Sequence, residues 1–493
     1  MAYSAAMPFV VASPRSMLRI LSAALALVLA ALHGSASAQA ELPPPVAQAL
    51  ARAGIPTSAV GIFVQDLSAR RPTLTVNAEQ PMNPASTMKL VTTYAALELL
   101  GPAYSWKTEA YVEGPLKNGV LEGDLFVKGY GDPKLTIEDF WLFLRGMRAR
   151  GLREIRGDLV LDRTWFEQVD HDPARFDGEP LRPYNAGADA LLVNFKAVRF
   201  LFAPQVEQGT VRVEAEPRLP QLDLANNVRL AAGPCGDWRG GLRMDVQDGN
   251  GHTSVAFSGT MPSSCGERVW NVSLLGQTAY FGGIFRSLWE ELGGTLRGSV
   301  RDGPVSPNAR LFATQESPPL AELVRDVNKY SNNVMARQMF LTLSAEVLKL
   351  PGRADRSARA LGSWLAQKNL QFPELVLENG SGLSRNERIA AGSLGRLLVS
   401  AWHSSVMPEL MSSMPLVAHD GTMGKRLKFA SVAGQAHLKT GSLTEVRSIA
   451  GYVLDRNGRR HAVVFIINHP NAAQGEAATT ALIRWLYGEG RTP

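Results

Sequence analysis

Cysteine is nearly missing from this chain: 493 residues contain two, Cys235 and Cys265, both in Gly/Pro/Ser-rich surroundings. No C-x-x-C spacing exists, which argues against a thiolate metal site and a dithiol redox centre. The eight histidines form neither H-E-x-x-H nor H-x-H, so the commonest metallopeptidase signature is absent. Asp170-His171-Asp172 reads as a solvated loop, and no metal site is expected. Lysine and arginine are not gathered into a dense block. The net charge of +6 and pI near 9.3 therefore describe a mildly basic protein with no nucleic-acid footprint, compatible with attraction to anionic wall polymer or a membrane surface. Internal repeats, low-complexity linkers and heptads are lacking too. What remains is 45% hydrophobic and 19% charged, the balance of a soluble globular chain, and long enough for two or three structural units.

The N-terminus carries a targeting pattern. Arg15 and Arg19 precede an apolar run from Ile20 to Leu32, and Ser35-Ala36-Ser37-Ala38 supplies an A-x-A cleavage site. Residues 1–38 are read as a secretory signal, with 1–16 an upstream extension before Met17. The run is too short for a permanent anchor, and no second one follows, so the mature protein is expected to be exported without a transmembrane anchor. In an oxidising compartment the solitary cysteine pair most simply forms a Cys235–Cys265 disulfide.

Periodicity divides the mature chain. A short helix is expected at Pro43 to Ala53, strands at Val60 to Leu67 and Thr73 to Val76, and a helix from about Ser86 to Leu100, stopped by Gly101-Pro102. Short alternating runs between Gly, Pro and Asp-rich turns make 103–270 β-rich, with room for two subdomains. Helices return at Gly282 to Leu292, Pro319 to Asn328, Asn332 to Leu348 and Arg356 to Gln367. A hairpin, Ser448 to Leu454 with His461 to Ile467, precedes a last helix at Ala472 to Leu486. The fold class is α/β in the α+β sense: 39–102 and 271–493 build one discontinuous domain of antiparallel strands and helices, into which 103–270 is inserted.

Three short motifs carry chemistry. Ser86-Thr87-Met88-Lys89 is the one S-x-x-K in the chain. At a helix start it sets a hydroxyl near the positive end of the dipole and an amine one turn on, where burial and a second cation can bring the lysine into general-base range. By itself such a motif is expected about once in a chain of this composition. Ser331-Asn332-Asn333 lies at a break between two amphipathic segments. The same S-x-N spacing recurs at Ser306 and Ser384, and alone it would pass for a helix cap. Lys439-Thr440-Gly441 is the one K-T-G, followed by Ser442 on a strand-like stretch. A strand beside the nucleophile can pair with a substrate backbone, approach closely at its glycine and hold a carboxylate with lysine and threonine.

In this order the three motifs form the set found in penicillin-binding proteins and serine β-lactamases. Further segments narrow the likeness: Gly129-Tyr130-Gly131-Asp132-Pro133, Tyr184-Asn185-Ala186, Asn379-Gly380-Ser381-Gly382-Leu383-Ser384-Arg385 and Asp420-Gly421-Thr422-Met423. Across the mature chain the sequence resembles the D-alanyl-D-alanine carboxypeptidase/endopeptidase family, the class C low-molecular-mass penicillin-binding proteins (penicillin-binding protein 4 type). Asn379 departs from that family's usual aspartate. The resemblance implies a serine β-lactamase/transpeptidase-like domain and an acyl-enzyme on Ser86, with Lys89 as proton acceptor, Ser331 as proton relay, Asn333 on the substrate amide and Lys439 in electrostatic support. Thr440 would help receive the terminal carboxylate, and the backbone N–H groups of Ser86 and Ser442, flanking Gly441, would form an oxyanion hole. It implies peptidoglycan peptides as substrates, β-lactams as covalent inhibitors, a periplasmic location and no cofactor. A β-lactamase-like or esterase hydrolase and a non-catalytic wall-binding scaffold are the rival readings. The long insertion argues against the first, and intact Ser86, Lys89 and Lys439 against the second.

Overall fold

Five strands, β1 (Val60–Asp66), β2 (Leu74–Val76), β3 (Ala436–Leu443), β4 (Val446–Leu454) and β5 (Arg460–Asn468), form one sheet in the order β2-β1-β5-β4-β3. Every neighbouring pair is antiparallel. The computed structural model describes Met1 and residues 41–249 and 252–489, and the expected signal segment falls outside the described stretch that starts at 41. The runs of β4 and β5 (VRSIAGYVL and RHAVVFIIN) are apolar almost throughout because both faces of the sheet are covered. Phe63, Ala450, Tyr452, Val464 and Ile466 face one core, while Ile62, Val64, Val463, Phe465 and Ile467 are buried on the other side, as strand alternation requires.

The two ends of the chain meet on this sheet. Helix α1 (Pro44–Arg52), entered through Pro43-Pro44 as fixed helical φ favours, packs on α6 (Glu476–Tyr487), which lies against β4. Between them in sequence come α2 (Lys89–Leu100), α3 (Leu320–Lys329), α4 (Asn333–Leu348) and α5 (Ala391–Trp402). Helix α2 is buried at every position from Lys89 to Leu97 and ends at Gly101, whose φ of 86° suits glycine alone among common residues. Helix α5, for which periodicity gave no sign, packs on β1 and β5. A Cβ on its Gly395 would lie 2.1 Å from the Phe63 ring, so a small residue there brings helix and sheet together.

The insertion differs from expectation in two respects. Strand Arg310–Glu316 pairs with Lys107–Val112, and Val300–Asp302 with Leu159–Asp162, so this second core draws on residues from Ala110 to Ala313 and does not close at 270. It also contains helices, Ile137–Ala149 and Gln277–Glu291, beside its five-stranded sheet, the first capped by the Thr136 side chain on Asp139 N–H. A six-stranded sheet spans Val198 to Val272. Cys235 and Cys265 are joined beside it, and no free cysteine remains among the described residues. Helix α4 fastens the insertion: Gln338 exchanges two 2.8 Å hydrogen bonds with the Asp189 backbone, and Arg337 donates to the carbonyls of Tyr184 and Ala186. Among the described residues no helix is long and apolar enough to cross a membrane.

Candidate active site

Ser86 does not start an α-helix. It sits in a 3₁₀ turn, Ala85–Met88, that runs into α2 at Lys89, and Ala85 before it adopts a left-handed φ of 47°. The tighter turn stacks residues i and i+3 directly, which suits the S-x-x-K spacing better than an α-turn would. Lys89 Nζ donates to Ser86 Oγ at 3.0 Å, to Asn333 Oδ1 at 2.6 Å and to the Ser381 carbonyl at 2.5 Å, with no exposed surface of its own. Burial holds its pKa well below the usual lysine value. The charges of Lys439 and Arg337 push the same way, and Glu387 opposes them. An amine so placed gives up its proton easily and can accept one from a neighbouring hydroxyl.

Ser331 and Asn333 are held by a division of labour inside their motif. The helix cap that the spacing allowed is Asn332, whose side chain accepts from Met335 N–H at 3.1 Å. Ser331 itself adopts a φ of 57°, an uncommon state for a residue with a side chain and one that clusters at functional positions. Its hydroxyl accepts from Lys439 Nζ at 2.9 Å. The motif alone lets Lys439 hold a substrate carboxylate. Instead it is fully buried, its Nζ also donates to the Thr440 carbonyl at 2.6 Å, and burial pushes its pKa down to about 7. The other S-x-N serines are spent elsewhere, Ser306 on Glu113 and Ser384 on Glu378.

Gly441 shows why β3 passes this point without a side chain. A Cβ there would lie 2.2 Å from Ser448 Oγ, 2.7 Å from the Pro84 carbonyl and 3.0 Å from Ser86 N. The backbone of β3 is thus pressed against the Ser86 turn, which Ser448 Oγ tethers by donating to the Pro84 carbonyl at 2.6 Å. Thr440 is half-buried and donates to Thr422 Oγ1 at 2.7 Å, and Ser442 is exposed. Ser86, Lys89, Asn333, Ser331, Lys439 and Gly441 therefore converge, with Thr440 and Ser442 continuing along the strand. The disulfide lies in the insertion.

Residues outside the three motifs complete the arrangement. The turn at 378–382 presents the Ser381 carbonyl to Lys89. Glu387, wholly buried, accepts the N–H groups of Glu378, Asn379 and Gly380, while burial raises its pKa against those bonds. Asn379 braces the same turn from within. Its Oδ1 accepts from Ser381 N and Oγ, and its Nδ2 donates to the Leu383 carbonyl. An aspartate could not make that last bond. Gly382, at φ 77°, lies so close to the Ser86 turn that a Cβ would fall 1.9 Å from the Ala85 carbonyl. On the far side of this loop opens a pocket of about 670 Å³, lined by Arg337, Asn379, Arg385 and Phe176 among others, with Arg385 over the Phe176 ring. Neither Ser86 nor the two buried lysines line it.

Known proteins share this arrangement of the chain. The sequence profile of the D-Ala-D-Ala carboxypeptidase 3 (S13) family matches residues 43–487. The chain is similar to a D-alanyl-D-alanine carboxypeptidase of Actinomadura sp., 28% identical over 407 residues, which are 80% of this chain and 74% of that protein. It is similar to D-alanyl-D-alanine carboxypeptidase DacB of Haemophilus influenzae, 25% identical over 425 residues, 86% of this chain and 88% of that one. Among solved structures, penicillin binding protein 4 (dacB) from Haemophilus influenzae superimposes with a TM-score of 0.76 at 23% identity, covering 90% of this chain and 99% of that chain. That last likeness speaks for the fold.

Proposed function

The chain belongs to the D-Ala-D-Ala carboxypeptidase 3 (S13) family, and from that premise we propose that it hydrolyses D-alanyl peptide bonds of peptidoglycan stem peptides and cross-links through an acyl-enzyme on Ser86. The observation that carries this reading is the bond between Ser86 Oγ and the Nζ of a buried Lys89, 3.0 Å away.

Ser86 Oγ attacks the carbonyl of the penultimate D-alanine while Lys89, whose neutral form is favoured by burial and by the Lys439 and Arg337 charges, turns its lone pair to that hydroxyl and takes its proton, its two N–H bonds going to Asn333 and Ser381. Asn333 has its amide oxygen committed to Lys89, which leaves its NH₂ to address a substrate carbonyl. The developing oxyanion is received by the N–H groups of Ser86 and Ser442. The contact of Gly441 with Ser86 N supports this, because it brings the two backbones together. Ser331, bonded to Lys439, relays the proton that Lys89 has taken to the leaving amine, so that Lys89 and Ser331 both regain their starting protonation, and Lys439 supports the relay without touching substrate. Water then attacks the ester by the reverse of these steps. Serine and lysine supply all the proton transfers, so the chemistry calls for no cofactor. The same attack on a β-lactam ring leaves a covalent adduct, and export by the N-terminal signal would place the enzyme in the periplasm with its substrate.

Intact mass spectrometry tests the reading. Wild type is expected to gain one penicilloyl group and to release D-alanine from a D-Ala-D-Ala peptide, and Ser86→Ala to do neither while melting at a similar temperature. Undiminished labelling of Ser86→Ala would overturn the assignment.

A further inference from the structure

The edge of β3 is covered for only part of its length. Residues 415–417 run along it, with Leu438 N–H donating to the Pro415 carbonyl and Val417 N–H to the Ala436 carbonyl, both at 2.9 Å. Leu416 and His437 form the last bridge on that side, and among the described residues no strand covers the edge beyond it. The covering segment then turns through Ala418 and Asp420 and returns at Gly421–Met423, where the Thr422 hydroxyl meets that of Thr440. The open part of the strand thus begins at a pair of hydroxyls, one from each segment.

Three contacts fix that turn. Asp420 Oδ2 accepts from Lys329 Nζ at 2.6 Å, and its Oδ1 accepts from Leu416 N–H at 2.8 Å. Gly421, at φ 55°, rests on the Lys329 backbone so closely that a Cβ would lie 2.6 Å from the Lys329 carbonyl. Lys329 is the last residue of α3, two positions before Ser331. Thr422 is therefore referenced both to the Ser331 loop and to the K-T-G strand. Its side chain is nonetheless exposed, and it makes no contribution to the core. An exposed hydroxyl on so well-fixed a turn, beside Thr440, is placed to meet a ligand.

We propose that Thr422 is a substrate-binding residue that, with Thr440, receives the carboxylate at the end of the D-amino acid released by the reaction. This deepens the acyl-transfer reading above and rests on it. In the free protein the Thr440 hydroxyl donates to Thr422. A hydroxyl proton rotates freely, so when a carboxylate arrives each threonine turns its proton to one carboxylate oxygen, and two charge-assisted bonds replace one neutral bond. Ser442, on the same face of β3 as Thr440, lies one step further along the strand. The pair selects a free carboxylate over a neutral chain end, and so sets the preference for a terminal D-amino acid.

The test compares an N-acylated tripeptide ending in D-Ala-D-Ala with the same peptide as its C-terminal amide, by kcat/KM. Wild type is expected to prefer the acid. Thr422→Val should reduce the acid-to-amide ratio about tenfold, the worth of a hydrogen bond to a charged group, and Thr422→Ser should hold it within about threefold. A Thr422→Val ratio equal to that of wild type would overturn the proposal. Equal loss on both peptides would overturn it too, since that is the mark of a turn that merely packs. If wild type cleaves neither peptide, the acyl-transfer reading fails first and takes this one with it.

Discussion

Asn333→Asp exchanges one atom's identity at the point where the Lys89 amine is held, and its consequence follows from a distance. Asn333 Oδ1 lies 2.6 Å from the Nζ of the fully buried Lys89, and Asn333 itself is half-buried. A carboxylate there attracts the ammonium form by about 6 kcal/mol at the effective dielectric that suits buried protein sites. That is roughly four decades or more in the lysine's protonation equilibrium. The reaction needs the neutral amine, so a raised pKa shifts the rising limb of the rate to higher pH. A more basic amine is also a better proton acceptor, which returns part of the loss. The expected outcome is on the order of a hundredfold slower acylation by penicillin at pH 7, with a rising limb that lies at higher pH than that of wild type. Stopped-flow labelling with a fluorescent penicillin across the pH range, beside a thermal melt, provides the measurement. Acylation by the aspartate variant at the wild-type rate at pH 7 would refute Lys89 as the proton acceptor.

Lys439→Ala and Lys439→Arg are both expected to lose about a hundredfold or more in acylation rate, because the amine bonded to Ser331 is fully buried and a guanidinium has no room there; an arginine variant at near wild-type rate would show that charge alone suffices. Replacing Cys235 and Cys265 with serine removes a crosslink between positions 30 residues apart and should cost ~3 kcal/mol, read from urea unfolding, with activity retained by the folded fraction. Gly382→Ala puts a methyl group 1.9 Å from the Ala85 carbonyl at a φ of 77°. It should lower penicillin acylation at least about tenfold through displacement of the nucleophile turn, and unchanged acylation kinetics would mean that the turn has slack.

What the sequence disclosed of this site was what depends on residue type at short spacing. S-x-x-K, S-x-N and K-T-G place side chains by local geometry, and their order along the chain survives folding. The Ser381 carbonyl that holds Lys89 has no residue-type signature, since any residue offers a carbonyl, and the hydrogen bonds of Glu387 go to backbone N–H groups of a loop, which carry none either. Thr422 was visible in a family-like segment, but its approach to Thr440 needs the turn around Asp420. In the fold, β4 and β5 were legible from their unbroken apolar runs. Helix α5 was not, because Gly395 serves close packing on Phe63 and Gly392 on the Ala78 backbone, and glycines read in sequence as turn residues. The insertion's far boundary was missed because Arg310–Glu316 is largely exposed along its length and offers little apolar pattern, although it pairs with Lys107–Val112 through a bulge at Phe312.

The pairing of β1 with β5 sets Val60 opposite Ile467 and Asp66 opposite His461. A ribosome or an export channel delivers the chain from its N-terminus, so the nucleophile turn emerges long before anything exists for it to rest on. The strand that bears Lys439, the Ser448 tether and β5 itself all follow that turn by hundreds of residues, and closing so long a loop is a late, slow event in folding. Until that moment Ser86 has no second lysine to help keep Lys89 neutral and no β3 backbone beside it. The enzyme is thus assembled silent. Its hydrolytic competence waits on β3, β4 and β5, and a chain cut short before β5 leaves Ser86 without the backbone it rests beside.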